Sequence, residues 1–153
     1  MEGELMDNLM TNPAFQTYAL CSAILALKMF FSAVYTGSRR QKNQGYVNPE
    51  DARVFGSKGT AVGAAEAPAV AHALRIQRND LENIPMFFAI GLIYVLTGAS
   101  AGGTAIYCWT FTIARVVHTV AYMNHLQPWR AVAFGIGALA VIGMSAQVIM
   151  AAL

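Results

Sequence analysis

The residues able to do chemistry in this chain recur at helical spacing inside stretches that are otherwise apolar. Arg75, Arg78, Asn79 and Glu82 fall at i, i+3, i+4 and i+7, which is one face of a helix. Arg115, His118 and Tyr122 fall at i, i+3 and i+7 of a second helical stretch. Arg40 lies just past the end of one apolar run and Arg130 opens another. Two uses of these groups are open. They could pair internally, with Glu82 bridging to Arg78 or Arg115. They could instead hold an anion, because the planar guanidinium fork suits bidentate binding of carboxylate or phosphate. The charge count favours the anion. Arginines 40, 75, 78, 115 and 130 face Glu82, and Asp80 points off that face. Unpaired guanidinium groups in a low dielectric call for a small polyanionic ligand between helices.

The elements that must position these groups belong to a membrane. The chain has 153 residues, 56% of them apolar and only 12% charged, where a globular protein carries about 45–50% apolar and about 25% charged residues. A soluble chain this short has too much surface to cover with so few charges. The composition excludes a disordered chain, a nucleic-acid binder and a cytosolic enzyme. Four apolar stretches are expected as spanning helices, at about 15–36, 68–98, 102–126 and 129–153, in one integral membrane domain over 1–153. The first makes a helix of roughly 33 Å, enough for a hydrocarbon core of about 30 Å. No charge occurs from Ala131 to Leu153. The short links after the second and third stretches make their helices antiparallel neighbours. The expected fold is all-α, a transmembrane four-helix bundle.

The long connection is 37–67. Asn48 as N-cap, Pro49 at the first helical position and Glu50 and Asp51 in the first turn predict a short surface helix there. A Gly/Ala-rich run, GSKGTAVGAAEA, follows and is expected to be mobile. Of the ten Lys and Arg residues, seven lie between Arg39 and Arg78, so the positive-inside rule places this loop in the cytosol and both termini opposite. Glu2, Glu4 and Asp7, with no basic residue nearby, give the N-terminus the wrong charge for a cleaved signal peptide. Cys21 and Cys108 sit in apolar runs and are expected as free buried thiols, with no metal spacing. Lys28, in mid-span and on one face with Ser22 and Ser32, is expected to bond to a polar group of a neighbouring helix. A mid-bilayer charge costs about 2.5–3.5 kcal/mol on insertion scales, so it needs such a partner. The same cost predicts an oligomer, because arginine-bearing helix faces cannot be turned to lipid.

The motifs RNDLENI (78–84) and ARVVHTVAY (114–122), with LKM (27–29), NPED (48–51) and QPWRA (127–131) in order, resemble the membrane-associated proteins in eicosanoid and glutathione metabolism. The resemblance covers the chain from about Asn12 to its end and is nearest to the branch of microsomal glutathione transferase 1 and microsomal prostaglandin E synthase 1. It implies a homotrimer of four-helix protomers in the endoplasmic reticulum or the mitochondrial outer membrane. Glutathione would bind between adjacent subunits at the cytosolic side. Carried over by position, Arg40, Arg75, Arg78, Asn79, Glu82 and His118 would hold glutathione. Arg130, Arg115 and Tyr122 would act on its thiol, Arg130 first. Arginines suit the two carboxylates of the ligand and Glu82 its ammonium.

The chain also departs from relatives of that kind. In the prostaglandin synthase the arginine of the fourth span is followed by a Ser implicated in thiol activation and, three residues later, by a Tyr; those positions are Ala131 and Phe134 here. The reactive Cys that follows NPED in the vertebrate transferase is Ala52, and an acidic-basic pair upstream of the second span is Ala71 and His72. Residues 57–66 carry none of the motifs on which the resemblance rests. Ala131 and Phe134 depart from the synthase, and QPWRA instead resembles the transferase pattern; the resemblance therefore implies a transferase acting on lipophilic electrophiles, with peroxidase action on lipid hydroperoxides as a further activity. A glutathione-dependent prostaglandin isomerase is the alternative, and a non-catalytic lipid-binding scaffold is the reading of another class. The retained Arg and Glu cluster speaks against the scaffold.

Overall fold

A computed structural model describes residues 9–57, 60, 62–63 and 65–153. Glu2, Glu4 and Asp7 lie outside the described residues, as do Lys58, Gly59, Ala61 and Ala64 of the Gly/Ala-rich run. Helices α1 (Pro13–Asn43), α2 (Pro49–Phe55), α3 (Pro68–Leu96), α4 (Ala101–Met123) and α5 (Trp129–Ala152) follow in order, and no strand occurs among the described residues. The all-α expectation therefore holds. Helices α1 and α5 are long and apolar enough to cross a membrane. Helix α3 falls short of that measure because Arg75, Arg78, Asp80 and Glu82 crowd its first half. Helix α4 falls short because glycines, threonines, Arg115 and His118 dilute its apolar run.

The boundaries have local causes. Helix α1 runs past the apolar stretch to Asn43, because Ser38–Lys42 is polar but free of helix breakers, and Arg40 and Lys42 in the last turn complement the negative helix end. Helix α2 starts where NPED predicts it. The Asn48 amide, however, donates to Asp51 Oδ2 at 3.1 Å and caps no backbone N–H. Ser100 caps α4, its Oγ accepting from Gly103 N at 3.1 Å. Gly98, at φ 83°, takes the left-handed turn that ends α3.

The chain forms two compact units, divided within α1 and within α3. One comprises Lys28–Leu81; the other holds the chain up to Leu27 and Glu82–Leu153. In the larger unit the core is built from Cys21 and Leu25 of α1, Ile84 and Phe87 of α3, Cys108 and Phe111 of α4, and Met144 of α5, all fully buried. The Phe87 and Phe111 rings stack at 4.6 Å and 3°. Tyr18 Oη donates to the Phe88 carbonyl at 2.8 Å. Cys21 and Cys108 are free and buried, as expected. In the smaller unit Val70, Ala73 and Ile76 of α3 are buried with Ser32 and Thr36 of α1, and Tyr46 Oη donates to the Phe55 carbonyl at 3.0 Å, tying α2 down.

Large apolar side chains stand exposed on every long helix, among them Leu27 and Phe30 on α1, Ile93 on α3, Ile113 on α4 and Leu139 on α5. Faces of this extent are covered by lipid or by another chain.

Candidate glutathione site

The predicted site residues divide between the two units. In the larger unit, α4 carries Arg115 and His118 inward. Arg115 is 1% exposed and the largest fully buried side chain of the described residues, and His118 is buried with it. The arginine stem packs against α5. Gly137 has no side chain where a Cβ would stand 3.8 Å from Arg115 Cδ and 3.7 Å from Ala114 Cβ. Ala133, Gly137, Ala140 and Met144 form the buried stripe of α5. Small residues on such a stripe let two spanning helices approach closely.

The turn after α4 closes tightly, with Leu126 N donating to Ala121 O at 2.8 Å and Arg130 N donating to Leu126 O at 3.1 Å. This brings the Arg130 guanidinium over the Tyr122 ring, 4.4 Å from its centroid. The Gln127 amide, turned so that its oxygen faces the guanidinium, accepts from Arg130 Nη2 at 2.6 Å and Nε at 3.2 Å. The His118 ring stands edge-on to Tyr122 at 5.7 Å and is tilted against Phe134 at 6.2 Å. Arg130 and Tyr122 remain half-exposed. A guanidinium held on one face by an aromatic ring and along one edge by an amide keeps its other N–H groups available to an anion.

In the smaller unit Arg40 is half-buried, and its Nη2 donates to Glu66 Oε1 at 2.7 Å. Glu66 is an acid that the charge count above did not include. Arg40 also lines a cavity of about 320 Å³ with Tyr46 and Asp51. Arg75 and Arg78 are exposed and Asn79 is half-buried. Glu82, the first α3 residue of the larger unit, is exposed as well. Among the described residues Arg75, Arg78 and Glu82 enter no ion pair; the bridges are Lys28–Asp80 and Arg40–Glu66. Internal bridging of Glu82 to Arg78 or Arg115 is therefore not how these charges are satisfied within one chain.

The expected polar partner of Lys28 is Asp80, with Nζ to Oδ1 at 2.5 Å. Asp80 is 1% exposed, and its second oxygen accepts from Ser32 Oγ at 2.6 Å. The sequence signal was present: Asp80 stands off the arginine face of α3, and Lys28 and Ser32 share a face of α1. No spacing in the sequence could connect Arg40 to Glu66, since that contact depends on how a loop closes.

Comparison with known proteins adds three findings. Residues 18–150 match the MAPEG family. The chain is 34% identical to "Prostaglandin E synthase" of Macaca fascicularis over 92% of its length and 91% of that protein's, and 33% identical to the Homo sapiens protein of the same name over the same shares. It is 37% identical to "Microsomal glutathione S-transferase 1" of Bos taurus over 86% of each chain. With the arginine and tyrosine motifs of α3 and α4 embedded in a match of that extent, the chain belongs to the MAPEG family.

Proposed function

We propose that this protein is a membrane-bound glutathione transferase. It binds glutathione, holds the thiol as thiolate and presents it to an apolar electrophile delivered from the bilayer. The same thiolate would serve glutathione-dependent reduction of lipid hydroperoxides. The observation that carries this reading is the Arg130 guanidinium held between Tyr122 and Gln127 at the head of α5, beside the buried pair Arg115 and His118. The 37% identity to a microsomal glutathione transferase supports it.

The roles follow from charge. Arg75 and Arg78, with Asn79, offer donors for the two ligand carboxylates. Glu82 offers a carboxylate for the ligand ammonium. Arg40 and His118 complete the binding set. A free thiol titrates near ~8.5, and the thiolate is the nucleophile. Lowering that value to about 6.5 takes ~2.7 kcal/mol of differential stabilisation, at ~1.36 kcal/mol per unit. A charge-assisted hydrogen bond from Arg130, with Arg115 next in line, is of that size. Tyr122 would contribute its hydroxyl. No step calls for a metal.

The reading extends to assembly and place. Helices α1, α3, α4 and α5 would each span the membrane, with 37–67 in the cytosol, in the endoplasmic reticulum or the mitochondrial outer membrane. Three copies would form the functional unit, with glutathione between neighbours. The exposed Arg75, Arg78 and Glu82 support this, because charged side chains facing lipid are costly and a neighbouring copy would cover them.

The test is detergent-purified protein with glutathione and a chromogenic aryl halide. Turnover that saturates in glutathione is expected; binding without turnover would replace the enzyme with a lipid-binding scaffold. A glutathione-dependent prostaglandin E synthase is the second reading, favoured by the relatives at 33–34% identity. Isomerisation of a prostaglandin endoperoxide without aryl halide conjugation would select it.

A further inference from the structure

The Lys28–Asp80–Ser32 cluster uses ionic chemistry where none of the proposed steps requires it. Lys28 Nζ bonds Asp80 Oδ1 at 2.5 Å and Ser32 Oγ donates to Asp80 Oδ2 at 2.6 Å, with all three residues buried. As a source of stability this arrangement has little to recommend it. A buried ion pair repays its desolvation only in part, and an apolar pair of similar volume is often equally stable or more so. A charged pair differs from an apolar contact in having one geometry that satisfies it.

That property matters on α3. The remaining buried residues of its first half are Val70, Ala73 and Ile76. Such side chains pack acceptably over a range of helix rotations. Asp80 does not, since turning it away from α1 would break its bonds to both Lys28 and Ser32. Arg78 and Glu82 stand two residues to either side of Asp80, about 160° around the helix, and Arg75 about 140°. Burial agrees: Asp80 is 1% exposed, whereas Arg75, Arg78 and Glu82 are exposed. With Asp80 locked to α1, the arginine face must point the opposite way. We infer that Lys28 and Asp80, with Ser32, are positioning residues that set the rotation of α3 and so aim Arg75, Arg78 and Glu82 at the glutathione site. The inference rests on the glutathione reading above for what the face is aimed at, and on geometry alone for the rotation.

The experiment removes the pair together, as Lys28→Met/Asp80→Leu, so that no charge is left buried alone. Rotation is read by an Ile76→Cys reporter in both backgrounds. Ile76 is 1% exposed, and the native Cys21 and Cys108 are fully buried, so background labelling by N-ethylmaleimide is low. In the double variant the reporter should label about tenfold faster, as a face that is no longer held samples open orientations. The Kd for glutathione should rise about tenfold, while kcat at saturating glutathione changes by less than about threefold.

Unchanged labelling with unchanged Kd would overturn the inference. Faster labelling with an unchanged Kd, or a lower thermal midpoint alone, would also overturn it, reducing the pair to a structural contact. If the unmodified protein binds no glutathione but the reporter still becomes labelled, the glutathione reading fails and the control of rotation stands. Should the double variant not fold, Ser32→Ala carries the test by removing the hydroxyl that bonds Asp80 Oδ2 at 2.6 Å and the Lys28 carbonyl at 3.2 Å; a two- to threefold change in the same direction is expected there, and none would overturn the inference.

Discussion

At the scale of single residues, binding and chemistry separate. Arg130 is held by Tyr122 and Gln127, and among the described residues it enters no ion pair. Arg130→Ala should leave glutathione bound, because other arginines hold the carboxylates, yet abolish most conjugation. Losing a charge-assisted bond of ~1.5–3 kcal/mol raises the pKa of the bound thiol by roughly one to two units. The sign is upward because the deleted cation stabilises the thiolate. Thiolate absorbance of the complex near neutral pH should therefore fall, and activity should recover in part at higher pH. A titration curve identical to wild type would transfer the role to Arg115. Glu82 is exposed and in no ion pair among the described residues. Glu82→Gln should accordingly weaken glutathione binding, measured by equilibrium dialysis, while the thermal midpoint stays near that of the wild type. Normal affinity combined with lost assembly would make Glu82 a subunit contact instead.

At the scale of elements, close approach of helices places the site. The Arg115 stem packs within van der Waals reach of Gly137 on α5. Further along the same helix pair, a Cβ at Gly143 would meet Tyr107 Cε1 at 2.6 Å, and Gln147 Nε2 donates to Tyr107 Oη at 3.1 Å. The tyrosine ring is a rigid group that also stands edge-on to Tyr94 at 5.6 Å. Gly143→Ala should therefore separate α4 and α5 and cost about 1–3 kcal/mol. A thermal midpoint lowered by several degrees in detergent is the expected result, with conjugation reduced because Arg115 and Arg130 lie on those two helices. A midpoint equal to wild type would show that the ring moves aside freely.

At the scale of the whole molecule, exposure argues for assembly. Arg75, Arg78 and Glu82 project from a helix whose next turns expose Met86 and Ile93. Lipid suits the second pair and not the first three. Size-exclusion chromatography with light scattering in mild detergent should report three copies per particle. A monodisperse monomer that still binds glutathione would sink the proposed assembly and with it the sharing of a site between neighbours.

Helix type and placement were legible in the sequence because both follow from local chemistry. Apolar runs, the Asn48–Pro49 start and the spacing of Arg75, Arg78 and Glu82 depend only on neighbours along the chain, and α2, α3, α4 and α5 begin within a residue or so of where those signals place them. The continuation of α1 to Asn43 was less legible, since a polar segment reads as loop unless its helix-compatible residues are weighed. The ARVVHTVAY and RNDLENI motifs carried the family for the same local reason. Pairing was another matter. A lysine in mid-span announces that it needs a partner, because its desolvation is too costly without one, but it does not say which acid. Only the packing of α1 on α3 within one unit selects Asp80. Likewise Glu66 takes Arg40 and the Tyr122 ring takes Arg130 through the closure of loops. Hydrogen-bonded ion pairs and cation–ring contacts form only where the groups touch, so which arginines stay available to a ligand is decided by tertiary structure, and no spacing along the chain contains it.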